Sequence, residues 1–173
     1  MTRSIGQTIG DSLKLSIGYG ERLLKDVTAS QFARFATSNG TAIESNHAAF
    51  VYGHLSLYAP RILADLGAPA LATPEGFEAV FSKDAKCIDD PKGTIYPPMD
   101  QVTSFFFDGY KAALAAIEAT SDEAFQAPNP LGGGMAERFP TLGSMHNFYV
   151  GGHVMLHMGQ LSAWRRMQGL GPA

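Results

Sequence analysis

Four stretches of the chain carry apolar residues at intervals of three and four positions, the spacing that places side chains on one face of an α-helix. Ser45 is the expected N-cap of the second of these stretches, which ends at Gly67. Thr141 is the expected N-cap of the fourth stretch, which ends at Gly169. The pattern therefore predicts four amphipathic helices, at residues 4–25, 46–66, 100–119 and 141–169.

Evidence for strands is thin. The chain shows no sustained alternation of apolar and polar residues, and the Asn-Gly pair at Asn39 lacks flanking runs of strand-forming residues. There is also no internal repeat. The predicted fold class is therefore all-α, a four-helix bundle formed by a single domain over residues 1–173.

Two long connections separate the predicted helices. Residues 67–99 are rich in proline, glycine and aspartate, and this length of chain can cross the full length of a helix. Such a crossover between the second and third helices lets those two helices run parallel. Within it, "TPEGFEAVFSK" predicts a short helix capped by Thr73, and residues 125–140 form the second long loop.

Composition and charge limit the function classes. The chain of 173 residues has 45% hydrophobic and 17% charged residues and a formal net charge of −3, which argues against a nucleic-acid surface. No apolar run is long enough to span a bilayer, and no signal peptide is visible. The one cysteine, Cys87, cannot form an internal disulfide. We expect a cytoplasmic protein with a small-molecule substrate and neither a nucleic-acid nor a membrane partner.

The candidate chemistry lies in the histidines. His153 and His157 are four apart on one helix face, about 6 Å along the axis, so their imidazoles can converge on one ion at about 2.0–2.1 Å. A third ligand must come from another helix, and His54 is the best placed, in a stripe with Val51 and Leu55. A shared divalent ion would satisfy three buried rings, each of which otherwise costs about 1–3 kcal/mol. We predict a metal site at His54, His153 and His157.

Ordinary structural roles are expected for the other polar residues near these positions. His47, at a helix start, should be solvent-exposed or a helix cap, and His146 should behave similarly. Tyr58 and Tyr149 could line the same cavity as the histidines, but packing with a hydrogen-bonded hydroxyl is the preferred interpretation. The acidic residues of the third helix, Asp100, Asp108 and Glu118, should form a solvated face.

Several enzyme motifs are excluded. A zincin needs Glu after the first histidine of the pair, where this chain has Val154. "GGGMAER" lacks the Gly-Lys-Ser/Thr of a P-loop, and "GYGERL" follows no strand, as a dinucleotide-binding motif would. The sequence therefore assigns no catalytic residue.

Two stretches resemble the DinB-like family of bacterial four-helix bundles, which includes the YfiT-type metal-dependent hydrolases. "NHAAFVYGHLSLYAPRIL" is similar to the family's second helix, where Gly-His-Leu presents a metal-binding histidine that matches His54. "HVMLHMGQLSAWRRMQGLGP" is similar to its closing pattern, His-x-x-x-His-x-Gly-Gln followed by basic residues and Gly-Leu-x-Pro. The matching positions there are His153, His157, Gly159, Gln160, Arg165, Arg166, Gly169, Leu170 and Pro172.

The resemblance implies an up-down-down-up bundle, frequently a homodimer, that holds a divalent metal ion on those three histidines. It also implies the two reactions found among relatives, metal-dependent hydrolysis and transfer dependent on a low-molecular-weight thiol. The ion would be zinc, nickel or iron. Family members often carry Glu where this chain has Val154, so no acid–base role is assigned there.

Two hypotheses of different classes follow. In the first, the protein is a metal-dependent hydrolase or thiol S-transferase, and Cys87 is an unremarkable loop residue rather than the reacting thiol. In the second, it is a non-catalytic dimeric binding or assembly module with a structural or vestigial metal site. Recurring small residues such as Gly6, Gly10 and Gly159 would then permit close helix approach and a dimer seam. A solvent-accessible pocket beside His54 distinguishes the first hypothesis from the second.

Overall fold

The computed structural model describes residues 2–173, and the protein is mostly helical, as the hydrophobic pattern predicts. A π-helical turn at Phe148–Gly152 joins the last two helices, and two short strands, β1 (Ala36–Ser38) and β2 (Thr41–Ile43), form a hairpin. The α-helices are α1 (Ile5–Leu23), α2 (Ala29–Phe32), α3 (Ala48–Ser56), α4 (Tyr58–Asp65), α5 (Phe77–Phe81), α6 (Met99–Ala119), α7 (Asp122–Gln126), α8 (Gly133–Arg138), α9 (Leu142–Asn147) and α10 (His153–Met167).

The first helix begins and buries its side chains as predicted. Ser4 Oγ accepts from the Gln7 amide at 3.0 Å, and Gln7 Oε1 accepts from the Ser4 amide at 3.1 Å, which forms a capping box. Most of the predicted apolar face is buried, although Ile5 and Leu24 are only half-buried. A Cβ on Gly6 would collide with the carbonyl oxygen of Ile117, so this glycine lets α1 approach α6 closely.

The second predicted helix is two helices, α3 and α4, that meet at Leu57. Pro60 explains the break, because proline has no amide hydrogen to donate to the preceding turn and is tolerated only in the first turn of a helix. The N-cap is His47 rather than the predicted Ser45, since His47 Nδ1 accepts from the Phe50 amide at 3.2 Å. Gly67 ends the segment with φ +65°, as predicted.

The crossover between α4 and α6 contains the predicted short helix, but Thr73 does not cap it. The helix α5 follows Gly76, whose φ of +82° turns the chain, and the Phe77 amide donates to the Pro74 carbonyl. Phe77 and Phe81 are fully buried, so α5 packs against the core through these two rings. A Cβ on Gly53 would collide with the Phe81 ring, which shows how closely α3 and α5 pack.

The prediction that no hairpin forms around Asn39 was wrong. Strands β1 and β2 pair antiparallel, with Ala36 opposite Ile43, and Asn39 and Gly40 occupy the turn with φ of +50° and +78°. Two positive φ values are the geometry of the type I′ turn, which Asn-Gly favours. The turn chemistry therefore suffices here without the long flanking runs that the sequence analysis required, since each strand has only three residues.

The fourth predicted helix spans α9, the π-helical turn and α10. Thr141 caps it as predicted, because its Oγ1 accepts from the Ser144 amide at 3.1 Å. At the other end the buried guanidinium of Arg165 donates to the carbonyls of Leu23, Lys25 and Leu170, which ties the end of α10 to the end of α1.

The long helical segments pack around one apolar core. Helix α6 contacts α1, α3 and α4, while α10 contacts α1 and α3. This packing places the end of α3 beside the start of α10, where three histidines lie. In the part of the chain that the structure describes, no helix is both long and apolar enough to cross a membrane.

Candidate metal centre

The structure brings His54, His153 and His157 together. One ring nitrogen from each lies within 4.8 Å of the others, and the Nε2 atoms of His153 and His157 are 3.2 Å apart. The ring centroids of His54 and His157 are 4.9 Å apart, and those of His54 and His153 are 5.5 Å apart. The i, i+4 pair on α10 and the single histidine on α3 thus form the cluster that the spacing predicts.

Hydrogen bonds fix the tautomer of two of these rings. His54 Nδ1 lies 2.9 Å from the carbonyl oxygen of Phe81, and His157 Nδ1 lies 3.0 Å from Gln160 Oε1. The amide of Asn46 donates to the same Gln160 oxygen at 2.9 Å. Both Nδ1 atoms face oxygen acceptors and must carry the hydrogen, so the lone pair of each neutral ring lies on Nε2.

The third ring, His153, lacks such an anchor. Its Nδ1 is buried with no hydrogen-bond partner among residues 2–173, and its Nε2 faces the lone pair on His157 Nε2. Without an ion, the His153 Nε2 hydrogen can be donated to His157. With an ion, both lone pairs can point at it, because two nitrogens bound tetrahedrally at about 2.0–2.1 Å would be about 3.3–3.4 Å apart. The observed 3.2 Å is close to that value.

The donor set therefore fits a divalent cation that accepts imidazole. The Nε2 atoms of His153 and His157 have nearly the separation that a shared ion requires, and a nitrogen of His54 lies within 4.8 Å of the ligand atoms of both. The contact of His54 Nδ1 with the Phe81 carbonyl leaves its Nε2 available as the ligand atom. The hydrogen-bonded Nδ1 atoms correspond to the outer-shell contacts that orient histidine ligands in metal proteins.

Burial keeps all three rings neutral. Burial, to which the neighbouring rings of His157 and His54 add, lowers the pKa of His153 to about 3. Burial also lowers the pKa of His54 and that of His157, where His54 adds to the effect. Since neutral imidazole is the form that binds metal, these rings need not lose a proton to become ligands near pH 7.

The cluster opens onto solvent through two adjoining cavities of about 450 and 320 Å³. Both are lined by His54, Tyr58, Ser82 and Lys83, and the larger one also reaches His157. Two larger cavities, of about 660 and 670 Å³, are lined by no histidine and are mainly apolar. The accessible pocket beside His54 is the feature that the enzyme hypothesis requires.

The two tyrosines differ in their relation to the cluster. Tyr58 lies 4.5 Å from His153 between ring centroids and 5.5 Å from His54, and it lines both cavities. Tyr149 is buried, with its ring 5.1 Å from that of Tyr58, and lines neither cavity. Packing is thus the role of Tyr149, whereas Tyr58 forms part of the cleft wall.

The remaining histidines are not exposed, contrary to one of the predicted roles. His47 caps α3 through Nδ1 but is fully buried, and its Nε2 donates to the Ile88 carbonyl at 2.9 Å. His146 neither caps a helix nor meets solvent: it is fully buried in α9, and Asp65 Oδ2 lies 3.7 Å from its Nε2. The capping role predicted for His47 is thus confirmed, although Phe35, Tyr96 and Ile88 cover its ring, whereas neither role predicted for His146 holds.

Cys87 is closer to the cluster than its position in a loop suggests. It lines the larger cavity together with His54 and His157, and its Sγ donates weakly to the Ser45 carbonyl at 3.7 Å. Burial raises the pKa of the Cys87 thiol to about 11, so it is a neutral thiol near pH 7. The acidic residues Asp100, Asp108 and Glu118 are exposed, as predicted.

The sequence analysis missed four residues around the site. Gln160 entered only as a motif position, although its i, i+3 spacing from His157 is a signal that the two side chains meet. Asn46 belongs to the same hydrogen-bonded group. Lys83 and Lys86 line the larger cavity, and no local pattern in the loop after α5 indicates that it folds over the histidines.

Comparison of the chain with protein-family models, curated proteins and solved structures finds no match. The resemblance to the DinB-like family therefore stays a prediction carried by the two motifs. The functional argument depends on the geometry of the cluster and its cleft.

Proposed function

We propose that His54, His153 and His157 bind one divalent cation, zinc, nickel or iron, and that the protein is a metal-dependent enzyme acting on a small molecule. The observation that carries the proposal is the pair of Nε2 atoms 3.2 Å apart, with the opposite nitrogens of His54 and His157 anchored on oxygen acceptors. Three imidazoles leave a tetrahedral ion one position for substrate, and the cleft gives access to it.

The fold that we propose around this site is the DinB-like four-helix bundle with up-down-down-up topology. The contacts of α6 with α1 and α3, and of α10 with α1 and α3, support it. So does the long segment between Asp65 and Met99, which is sufficient for a crossover that leaves the second and third bundle helices parallel.

Between the two reactions, thiol-dependent transfer agrees better with the residues of the cleft than hydrolysis does. A bound divalent cation supplies Lewis acidity, which lowers the pKa of a coordinated thiol or water towards neutrality. Val154, where relatives often carry Glu, is buried in the core and offers no base. Of the residues that the structure describes, no Asp or Glu lines the larger cavity, which is the one that reaches His157; Glu78 and Asp84 line the smaller cavity. A thiol cofactor needs less help from a protein base than water does, because its own pKa is lower.

Metal content of the purified protein tests the proposal. Protein incubated with zinc, nickel or iron and then desalted should retain about one ion per chain, measured by inductively coupled plasma mass spectrometry. His54→Ala and His157→Ala should each retain none, since two histidines hold a divalent ion too weakly to survive desalting. His146→Leu is the matched control: it removes a buried histidine outside the cluster and should retain the ion.

A wild-type protein without metal after these treatments would contradict the proposal, as would full loading of His54→Ala. The choice of reaction has its own measurement. Titration of the cobalt-loaded protein with L-cysteine should produce the intense near-ultraviolet absorption of thiolate bound to cobalt, and its absence would favour the hydrolase.

A further inference from the structure

The larger cavity beside the histidines is positively charged. Lys83 and Lys86 line it, and it has no carboxylate among the residues that the structure describes. Cys87, which also lines it, adds no negative charge near pH 7, since burial raises the pKa of its thiol to about 11. This positive charge is opposite in sign to the formal net charge of the whole chain, which is −3.

Neither lysine is committed to a strong partner within the protein. Over residues 2–173, Lys83 forms no ion pair. Lys86 Nζ lies 3.8 Å from Glu44 Oε2, but both side chains are largely exposed, at 82% and 74%. Exposed pairs of this kind contribute little stability, about 0–1 kcal/mol. Both ammonium groups are therefore free to reorient towards a ligand.

The smaller cavity differs in its charge balance. There Arg61 and Lys83 are matched by Glu78 and Asp84. The Arg61 guanidinium also lies over the Tyr58 ring, 5.4 Å from its centroid. Among the described residues, the carboxylates of the cleft thus lie on the smaller cavity, whereas the larger cavity, which reaches His157, is lined by two lysines and by no carboxylate.

We propose that the larger cavity binds its substrate through an anionic oxygen group, a carboxylate or a phosphate, with Lys83 and Lys86 as the counter-ions. The volume of about 450 Å³ suits a small molecule, whose remainder would lie against Phe50 and the histidines. The inference names the substrate class of the proposed metal site and rests on that proposal. A resident divalent cation would add to the same positive field.

Anion titrations test this inference. Sodium acetate and inorganic phosphate are titrated at constant ionic strength into the cobalt-loaded protein, followed by its visible absorption. The same titrations into metal-free protein are followed by the NMR signals of the His157 ring. The Lys83→Gln/Lys86→Gln double variant is compared with Lys111→Gln, an exposed lysine of α6 that lines neither cavity. Neutral acetamide, which has nearly the shape of acetate, controls for shape.

We expect the double variant to bind the preferred anion about tenfold more weakly, because it lacks two charge-assisted hydrogen bonds, while Lys111→Gln binds like wild type. The stronger of the two anions identifies the group as carboxylate or phosphate. Acetamide binding as tightly as acetate, or equal weakening in Lys111→Gln, would overturn the inference.

Cobalt stoichiometry in the same samples separates this inference from the proposed metal site. A protein that takes up no cobalt but binds anions through the two lysines contradicts the metal site alone. Full cobalt loading with anion binding that does not depend on the lysines contradicts the anion inference alone. If the protein takes up no cobalt and its metal-free form binds neither anion, both fail.

Discussion

Two regions of this protein bury histidine, and they treat it in opposite ways. In the cluster of His54, His153 and His157, two rings donate Nδ1–H to oxygen acceptors, which leaves their Nε2 lone pairs unused, and both rings line a cavity that opens to solvent. His146, in α9, is fully buried, and neither of its nitrogens has a hydrogen-bond partner within residues 2–173. Asp65 Oδ2 lies 3.7 Å from its Nε2, beyond hydrogen-bond distance.

The difference shows that burial of imidazole does not by itself indicate a binding site. Desolvation lowers the pKa of the histidines in both regions, to about 3 for His153 and about 4 for His146. What distinguishes the cluster is the direction of the lone pairs and the access of solvent. His146 is neutral near pH 7, so its contact with Asp65 is not an ion pair.

The largest expected effect that separates the two regions is the response of stability to metal. A divalent cation at a concentration of 100 times its Kd should stabilise the wild-type fold by about 2.7 kcal/mol, since it binds the folded state and not the unfolded one. For a chain of this size we expect the Tm to rise by about 5–10 °C. Differential scanning calorimetry with zinc and with a chelator measures the difference.

His153→Ala should lose this metal-dependent rise in Tm, whereas His146→Leu should keep it in full. The Tm of metal-free His153→Ala can differ from that of wild type because the packing changes. The test therefore compares the Tm of the same variant with metal and with chelator, a difference that the packing change does not produce. A metal-dependent rise that survives in His153→Ala would mean that the stabilising ion binds elsewhere.

The second effect is the loss of stability in acid that His146 causes. Because burial lowers its pKa from about 6.5 to about 4, the unfolded chain takes up a proton first as the pH falls. Its stability contribution is therefore complete above pH 6.5 and is lost as the pH falls from 6.5 to about 4, at up to about 1.4 kcal/mol for each pH unit. In His146→Leu the free energy of unfolding should fall less over this pH range than in wild type, by about 2 kcal/mol less at pH 5.

Urea unfolding of the metal-free proteins from pH 4 to 8 measures this change. The variant keeps the acid sensitivity of the other buried histidines, His47 among them, so only the contribution of one proton should disappear. If the free energy of unfolding fell equally with pH in wild type and in His146→Leu, His146 would take up its proton as readily in the folded state as in the unfolded one.

The sequence predicted the helices better than it predicted where they break. Apolar spacing depends on side chains that face one core, and α1 and α6 lie within two residues of their predicted bounds. The break at Leu57 depends on Pro60, a local signal that the continuous apolar stripe obscured. The hairpin at Asn39 depends on turn chemistry rather than on periodicity, so a search for alternating runs could not find it.

For the site, spacing along one helix was sufficient for His153 and His157, and the apolar stripe around His54 supplied the third ring. What could not be predicted is set by tertiary packing. The loop after α5 places Lys83 and Lys86 over the cleft, and the carbonyl of Phe81 anchors His54 because α5 docks on α3. The burial of His146 likewise depends on α4, which is distant in the sequence.

The smallest expected effect concerns Gln160, which gives His157 the anchor that His146 lacks. Gln160→Leu removes the acceptor of His157 Nδ1–H, so the ring can rotate and its tautomer is no longer fixed. Loss of such an outer-shell contact lowers metal affinity by about 10–100-fold. We expect the lower end, about tenfold, because Gln160 is exposed and water can replace part of the contact.

Competition with a chromophoric chelator measures the Kd, with Gln101→Leu, an exposed glutamine of α6, as the matched control. Gln160→Glu, which keeps an oxygen acceptor, should retain the affinity of wild type. If Gln160→Leu also retained it, packing against His54 and His153 alone would be sufficient to orient His157, and the anchored nitrogen would not contribute to the metal affinity that we propose for the cluster.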